Sequence, residues 1–540
     1  MQRWPLTVDK ILDHAKTWHG DREVVARSVE GPVVRTTYAE IHRRARRLSG
    51  ALASLGVREG DRVATLAWNT ARHIEAWYAT MGMGAICHTL NPRLFADQLR
   101  YIVNHASDKV LLFDATFIPL VALLREHLPT VEHYILMSDE AAASACGFAG
   151  VHSFEKLISS SSFDQPWGGF DEDAPCGLCY TSGTTGLPRG VLYSHRSNFL
   201  HTLTTLGRDV MALSSIDTVL PIVPMFHANA WGLAFSCPAV GAKLVLPGAK
   251  LDGASVHELL ETEGVTFSAA VPTVWQMLLA HLREVKGSLS TLKRVVIGGA
   301  AVPEAMVRAF EDEFGVEVIH AWGMTELSPL GTLSSPTDAV ARLPREQALP
   351  FRFKQGRAPL GVEMVLVDDT GDLVAHDGKK SGRLLVRGPW VVERYYREGE
   401  GNVLNQGGWF DTGDIATIDE FGYMKITDRA KDVVKSGGEW ISSIEIENLA
   451  LSHPAVANAA AVGVPHPKWG ERPVLVVEPR PGMTVTPEDL RAHLDGRLAR
   501  WWMPDEYILL DAIPLGATGK INKLALRDLL RARRGATEKP

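Results

Sequence analysis

Thr181-Ser182-Gly183-Thr184-Thr185-Gly186 joins an apolar run, Gly177 to Tyr180, to Pro188-Arg189-Gly190. Hydroxyls and backbone amides in such a stretch donate hydrogen bonds, and glycine admits close backbone approach and positive φ. Successive amides of this kind form a concavity for anions, so the chemistry expected is the grip of a polyphosphate. The stretch lacks the G-x-x-x-x-G-K-[ST] spacing of a P-loop. A second cluster, Ala321-Trp322-Gly323-Met324-Thr325-Glu326, directly follows a run that reads as a strand. Ligands of open α/β sheets bind at the carboxyl ends of strands. There Trp322 offers a stacking face for a base, and Glu326 a hard oxygen ligand for Mg²⁺. A third, Pro224-Met225-Phe226-His227-Ala228-Asn229-Ala230-Trp231, also follows a strand-like run.

The elements that must position these clusters alternate. Thr37-Tyr38-Ala39-Glu40 has the form of a capping box, and apolar residues recur at Ile41, Ala45, Leu48, Leu52 and Leu55 up to a stop at Gly56. The arginines at 43, 44, 46 and 47 fall mostly on the other face and read as solvated. Strands are predicted at 62–67, 85–89, 109–113, 131–137, 218–223, 243–246, 266–271, 294–297 and 317–320, separated by helical stretches near 72–83 and 96–105 and beyond. This rhythm predicts an α/β fold with parallel sheet, as two wound βα sub-layers in one large N-terminal region. Residues 139–152, rich in Ala, Ser and Gly, and 158–173, rich in Ser, Gly and acidic residues, read as connections. From about 351 the pattern turns to antiparallel strands with tight turns such as Asp368-Asp369-Thr370-Gly371, a smaller β subdomain to about 430. Residues 431–540 read as a small α+β C-terminal domain.

Composition narrows the function classes. A chain of 540 residues exceeds one core, and 46% hydrophobic with 22% charged residues is ordinary for a soluble globular protein. A net charge of −7 leaves no basic footprint for nucleic acid. Five cysteines offer no disulfide framework and suit a reducing cytoplasm. Cys176 and Cys179 form a C-x-x-C, but residues three apart in a strand point to opposite faces, so no redox pair is expected. Ser153-Phe154-Glu155-Lys156 matches S-x-x-K without its companion motifs and is read as chance. The N-terminus is interrupted by Asp9, Lys10, Asp13 and His14, unlike a signal peptide, and no apolar stretch reaches a membrane span of roughly 20 residues.

The loop at 181–190, with the motifs in order behind it, resembles the adenylate-forming superfamily of acyl-CoA synthetases, luciferases and peptide-synthetase adenylation domains. Arg189 stands where the family usually has lysine, and Trp322 where tyrosine is usual. Gly408-Trp409-Phe410-Asp411-Thr412-Gly413-Asp414 is similar to the family's ribose motif and Asp428-Arg429-Ala430-Lys431-Asp432 to its hinge. Lys435-Ser436-Gly437-Gly438-Glu439-Trp440-Ile441 resembles its thioester loop, and Gly516-Ala517-Thr518-Gly519-Lys520 its C-terminal lysine motif. Among members of the family, medium- and long-chain fatty acyl-CoA ligases and 3-(methylthio)propionate–CoA ligases are most similar at 85–94, 192–196 and 435–442.

The resemblance implies an acid–CoA ligase that uses ATP, Mg²⁺ and CoA through an acyl-adenylate. It implies ATP or AMP contacts from Thr181 to Gly186, and from Arg189, Gly299, Ala300, Trp322, Gly323, Met324, Thr325, Asp414, Arg429 and Lys435. Thr181 and Glu326 would hold Mg²⁺. Lys520 would serve adenylation, with His227 beside the carboxylate. Lys435, Gly437, Gly438, Glu439 and Trp440 would line the CoA path, and Lys431 would be the hinge of a mobile C-terminal domain. Val223, Ala230, Trp231, Ala270, Val271 and Leu327 would wall the acyl group. The resemblance also implies a homodimer. The remaining expectations are a non-enzymatic ATP-binding scaffold and ligases for short or aryl acids.

Overall fold

The computed structural model describes residues 1–161, 165–181, 187–398, 403–437, 439–515 and 521–537. Two compact units emerge: one holds Met1–Thr181, Pro188–Val362 and Gly388–Val403, the other chiefly Glu363–Arg387 and Leu404–Pro540. The fold is mixed α/β with parallel sheets, followed by a β-rich C-terminal part. The boundary drawn from sequence at 430/431 falls inside the second unit.

The first unit contains two large sheets. One runs Val151–Ser153, His133–Leu136, Val110–Phe113, Arg62–Leu66, Ile86–Thr89, Pro175–Tyr180 and Gly190–Ser194, parallel except for its last pair. The other runs Leu330–Leu333, Glu317–Gly323, Arg294–Gly298, Phe267–Ala270, Thr218–Pro221, Lys243–Leu246, Glu23–Arg27 and Val33–Thr37. Its six inner strands are parallel and its two outer pairs antiparallel. Parallel strands buried on both faces read as continuous apolar runs, which is why Val110–Phe113 and Phe267–Ala270 are wholly buried. Two positions read from sequence as connection are ordered: Glu140–Ala145 is a helix and Val151–Ser153 an edge strand, too short for periodicity to reveal.

Helix Tyr38–Ser54 begins where expected. The Thr37 hydroxyl accepts the Glu40 amide, and Ile41, Ala45, Leu48 and Leu52 are buried. Its basic face corrects one expectation. Arg44 is not solvated but pairs with buried Glu75 at 2.8 Å and with Glu155 at 3.0 Å, while Arg46 lies over the Trp167 ring. A helix packed on both flanks has less open face than its own periodicity suggests. Cys176 and Cys179 are buried free thiols. Burial pushes the Cys176 thiol up to about 12, in keeping with an inert role.

The second unit holds an antiparallel four-stranded sheet, Glu363–Val367, Gly382–Arg387, Phe410–Ile418 and Met424–Arg429. It also holds a five-stranded sheet built on the hairpin Val456–His466 and Gly470–Pro479, with Val434–Ser436, Glu439–Ile441 and Glu506–Leu509. Asp428 joins the two sheets by accepting the Ser443 amide and hydroxyl at the start of helix Ser443–Leu451. The last helix, Lys523–Thr537, is tied down by Lys523 to Glu447 at 2.6 Å and by Arg527 to Asp432 at 2.9 Å. Among the described residues, no helix is long and apolar enough to cross a membrane.

Candidate active site

Most candidates of the first unit lie at or just past the carboxyl end of a parallel strand, with Trp322, Gly323 and Ala270 in the last residues of theirs and Arg189 just before the antiparallel strand Gly190–Ser194. Val223 follows Thr218–Pro221, Val271 follows Phe267–Ala270, Gly299 follows Arg294–Gly298, and Thr325–Leu327 follows Glu317–Gly323. In the other sheet Thr181 follows Pro175–Tyr180. This is the edge at which open α/β sheets bind ligands.

The neck of the phosphate-type loop is closed by antiparallel pairing. Tyr180 pairs with Gly190, the Thr181 amide donates to Arg189 O at 2.9 Å, and the Arg189 amide donates to Thr181 Oγ1 at 3.4 Å. Ser182, Gly183, Thr184, Thr185 and Gly186 lie outside the described residues, as do Gly438 and Lys520. The Arg189 guanidinium carbon sits 3.9 Å above the Tyr395 ring.

Glu326 sits in the short turn Thr325–Leu327 and is buried. Three contacts fix the turn. The Tyr193 hydroxyl donates to Thr325 O at 2.8 Å, the Val392 amide to Glu326 O at 2.7 Å, and the Tyr395 hydroxyl to Glu326 Oε1 at 2.8 Å. Burial and the adjacent Glu326 carboxylate push the Tyr395 phenol up, so it stays a donor. The segment around Val392 is itself stapled. Trp390 Nε1 donates to Leu330 O, Ser328 Oγ to Trp390 O, and the Tyr396 amide to Gly190 O at 2.8 Å. Residues 390–396 thus tie the Glu326 turn to the loop neck.

A magnesium ion fits this chemistry. No group of three or more His, Cys, Asp or Glu side chains that could hold a metal occurs among the described residues, yet Mg²⁺ characteristically takes one or two carboxylates and completes its shell with water and substrate phosphates. Glu326 has one oxygen engaged by Tyr395, and a carboxylate keeps further acceptor sites on its second.

The apolar side of the site is built on a strained turn. Ala228, Asn229, Ala230 and Trp231 have φ between 46° and 54°, and Gly232 continues at 82°. Left-handed helical conformation costs an L residue roughly 1–2 kcal/mol, so the surroundings must enforce it. Asn229 Nδ2 donates to Asn198 Oδ1, and Asn198 Nδ2 to Cys176 Sγ. A side chain at Gly232 would meet His201 at 2.7 Å. Buried Asn69 holds the approach to the turn, donating to Pro221 O and Val223 O and accepting the Met225 amide. The turn lays the Trp231 indole over two glycines: a Cβ would stand 3.3 Å from Trp231 at Gly298 and 3.9 Å at Gly299, where it would also stand 3.2 Å from Val271. Val223, Ala230, Ala270 and Leu327 are buried, whereas His227 and Ala300 are exposed. Trp322 is 7% exposed, and a Cβ at neighbouring Gly331 would fall 2.3 Å from its ring, so one edge of the indole is covered. Gly323 is exposed and Met324 partly so.

In the second unit Asp414 is buried and pairs with Arg429 Nε at 2.9 Å, across the register Asp414 to Arg429. Its amide donates to Thr412 Oγ1. Lys431 is exposed; what burial it has, with Arg429, Arg527 and Lys523 nearby, lowers its ammonium pKa. Its carbonyl accepts Arg527. Lys435 and Trp440 face each other across the hairpin Val434–Ile441, with the Lys435 ammonium 5.2 Å from the Trp440 ring and 3.5 Å from Asp369. Gly437 takes φ 60° and is flanked by Trp469 and Trp501; Glu439 belongs to the strand Glu439–Ile441.

Sequence reasoning missed Tyr395, Tyr193, Asn69 and Asn198. Tyr193 lies in the segment 192–196 but carried no role there, and the others belong to no motif: Asn198 comes from the helix His195–Thr205, and Tyr395 and Asn69 from connections, so only the tertiary fold brings them together. The local signals were the aromatic doublet Tyr395-Tyr396 and, for Tyr193, the family-like segment 192–196.

Comparison with known proteins agrees with the geometry. The AMP-binding enzyme family matches residues 12–396, and the AMP-binding enzyme C-terminal domain matches residues 445–520. The chain is 49% identical to a 3-methylmercaptopropionyl-CoA ligase of Ruegeria lacuscaerulensis, covering 98% of each chain. It is 46% identical to a medium-chain-fatty-acid–CoA ligase of Ectopseudomonas oleovorans, over 98% of this chain and 96% of that one. The crystal structure of the anthranilate CoA ligase AuaEII in complex with anthranoyl-AMP superposes with a TM-score of 0.85 at 25% identity, over 98% of this chain and 99% of that one. A loop neck at a strand end of one sheet, a pinned glutamate at a strand end of the other and matches along nearly the whole length have one meaning: the chain belongs to the AMP-binding enzyme family and, within it, to the acid–CoA ligases.

Proposed function

We propose that the chain joins a mostly apolar monocarboxylic acid, a medium- or long-chain fatty acid, to CoA at the expense of ATP. The observation that carries this reading is the stapling of the phosphate-loop neck and the Glu326 turn to one segment, residues 390–396. The candidate walls Val223, Ala230, Trp231, Ala270, Val271 and Leu327 are all apolar. None of these six side chains could pair with a second charge on the substrate.

In the first half-reaction the substrate carboxylate attacks the α-phosphorus of ATP, and pyrophosphate leaves. Thr181 and the loop through Arg189 bind the phosphates, with Gly299, Ala300 and Trp322 to Thr325 beside the adenine. Asp414 and Arg429 take the ribose. Mg²⁺, held by Glu326 and Thr181, would supply charge neutralisation on the phosphates when bound. Lys520 stabilises charge as it builds, an electrostatic contribution typically worth about 10²–10³ in rate. In the second half-reaction the CoA thiol attacks the acyl carbonyl and AMP leaves. The C-terminal domain rotates about Lys431, bringing Lys435, Gly437, Gly438, Glu439 and Trp440 to the CoA path, and closure excludes water from the adenylate. His227 lies beside the carboxylate. Five buried thiols suit a reducing cytoplasm, and a homodimer follows from the family resemblance.

The 49% identity to a 3-methylmercaptopropionyl-CoA ligase favours a second reading, in which the acid is 3-(methylthio)propionate. Pyrophosphate release with ATP and Mg²⁺ across straight-chain acids from C2 to C16 and 3-(methylthio)propionate, with and without CoA, separates the two. A CoA-stimulated optimum at medium or long chains supports the first. An optimum at 3-(methylthio)propionate moves the substrate and keeps the mechanism. Silence across the panel refutes both acids and points to a different acid, such as an aryl one, or to an ATP-binding scaffold.

A further inference from the structure

We propose that Tyr395 is the positioning residue of the magnesium carboxylate, and that Arg189 stacked on its ring makes the neck of the loop, Thr181 and Arg189–Gly190, and Glu326 one mechanical unit. The inference rests on the function proposed above and adds a residue to its machinery.

Three observations carry it. The Tyr395 hydroxyl is 2.8 Å from Glu326 Oε1 and Tyr395 is 5% exposed, so the contact is shielded from water. A hydrogen bond to an ionised acceptor is stronger than a neutral one, and it leaves the second carboxylate oxygen in a fixed direction. Next, the ring that carries this hydroxyl is covered by the Arg189 guanidinium at 3.9 Å. A planar guanidinium stacks on an aromatic face, whereas an ammonium is a compact, strongly hydrated point charge. The arginine at 189, where the resemblance leads one to expect lysine, thereby has a structural partner. Finally, the backbone repeats the link: the Tyr396 amide is bonded to Gly190 O and the Val392 amide to Glu326 O. A displacement of the loop neck is thus transmitted to the carboxylate through side chain and main chain together.

The consequence is a coupling between phosphate binding and metal binding that is measurable without turnover. ATP binding is followed by calorimetry at a series of Mg²⁺ concentrations, with no acid and no CoA. In Tyr395→Phe, which keeps the ring under Arg189, the Mg²⁺ midpoint is expected to rise 5- to 20-fold, with ATP affinity at saturating Mg²⁺ within twofold. In the Glu326→Gln background the same substitution is expected to add nothing, because the acceptor it serves is no longer charged. That pairing also guards against a general loss of stability, which would appear in both backgrounds. Arg189→Lys is expected to weaken ATP binding and to raise the Mg²⁺ midpoint at least threefold. An unchanged midpoint in Tyr395→Phe, or full additivity with Glu326→Gln, overturns the inference alone. No Mg²⁺-dependent ATP binding in the unsubstituted chain overturns the proposed function and this inference with it.

Discussion

A single methyl group at Gly298 would test whether the strand ends are the site. Gly298 ends the strand Arg294–Gly298 and pairs with Ala321 on the neighbouring strand. A Cβ there would stand 2.6 Å from Ala321 O and 3.3 Å from Trp231 Cη2. Carbon and oxygen approach to about 3.3 Å even in favourable C–H···O contacts, so roughly 0.7 Å must be found. The obstructing atom is backbone, and the two strands must part to provide it. Overpacking of this kind costs about 1–3 kcal/mol, which Gly298→Ala should show as a fall of a few degrees in melting temperature.

The strand that must move carries Trp322 and leads into Glu326. A misplacement near 1 Å costs roughly 10²-fold in rate, so a shift of about 0.7 Å should lower kcat/KM for pyrophosphate release about 10- to 50-fold. Gly264→Ala is the control. Gly264, unlike Gly298, has positive φ, at 64°, and nothing lies within 4 Å of its added Cβ. It should lose about 1–2 kcal/mol to left-handed strain and keep the rate. Both proteins would be assayed with saturating ATP and Mg²⁺ against one good acid, with melting followed in parallel. A Gly298→Ala enzyme within twofold of the unsubstituted rate would refute the reasoning, since the strand end would then be free to move without consequence.

Two further outcomes are expected. Lys520→Ala should abolish adenylate formation while leaving conversion of a supplied acyl-adenylate to acyl-CoA largely intact; equal loss of both half-reactions would remove Lys520 from the first step alone. Burial holds the Glu75 carboxyl up from 4.5 to about 7, outweighing Arg44 and Arg72 and aided by Glu155. The folded chain therefore keeps a proton that the unfolded chain releases, and stability falls as pH rises between about 4.5 and 7. Glu75→Gln should flatten this slope by on the order of 3 kcal/mol, read by denaturant titration at pH 5 and pH 8; an unchanged slope would assign the burial cost elsewhere.

The fold was legible where local physics dictated it. Helix Tyr38–Ser54 has its cap, period and stop in the sequence, and the strands from Arg62 to Gly323 are apolar runs bounded by turn residues. Val151–Ser153 was not legible, because three residues carry no period. Arg44 was misjudged for a different reason: its partners Glu75 and Glu155 lie 31 and 111 residues away, and no local pattern announces them.

The site divides in the same way, and the division has a physical origin. Groups that meet a substrate must be of one chemical type, so the residues proposed for that task, Thr181, Glu326, Asp414 and Lys520, stand in recognisable motifs. Groups that hold them need only the right shape at the right distance, and they come from wherever the chain passes. Ala228-Asn229-Ala230-Trp231 makes the point: a left-handed turn without glycine runs against local preference, and it exists because Asn198, Cys176 and His201 surround it. Trp231 owes its place over Gly298 and Gly299 to that enforcement. Relaxing the turn by replacing Asn229 would release Trp231 with it, so strain here is a means of position. Tyr395 follows the same logic, since its hydroxyl matters only because residues 390–396 are stapled to both things it joins.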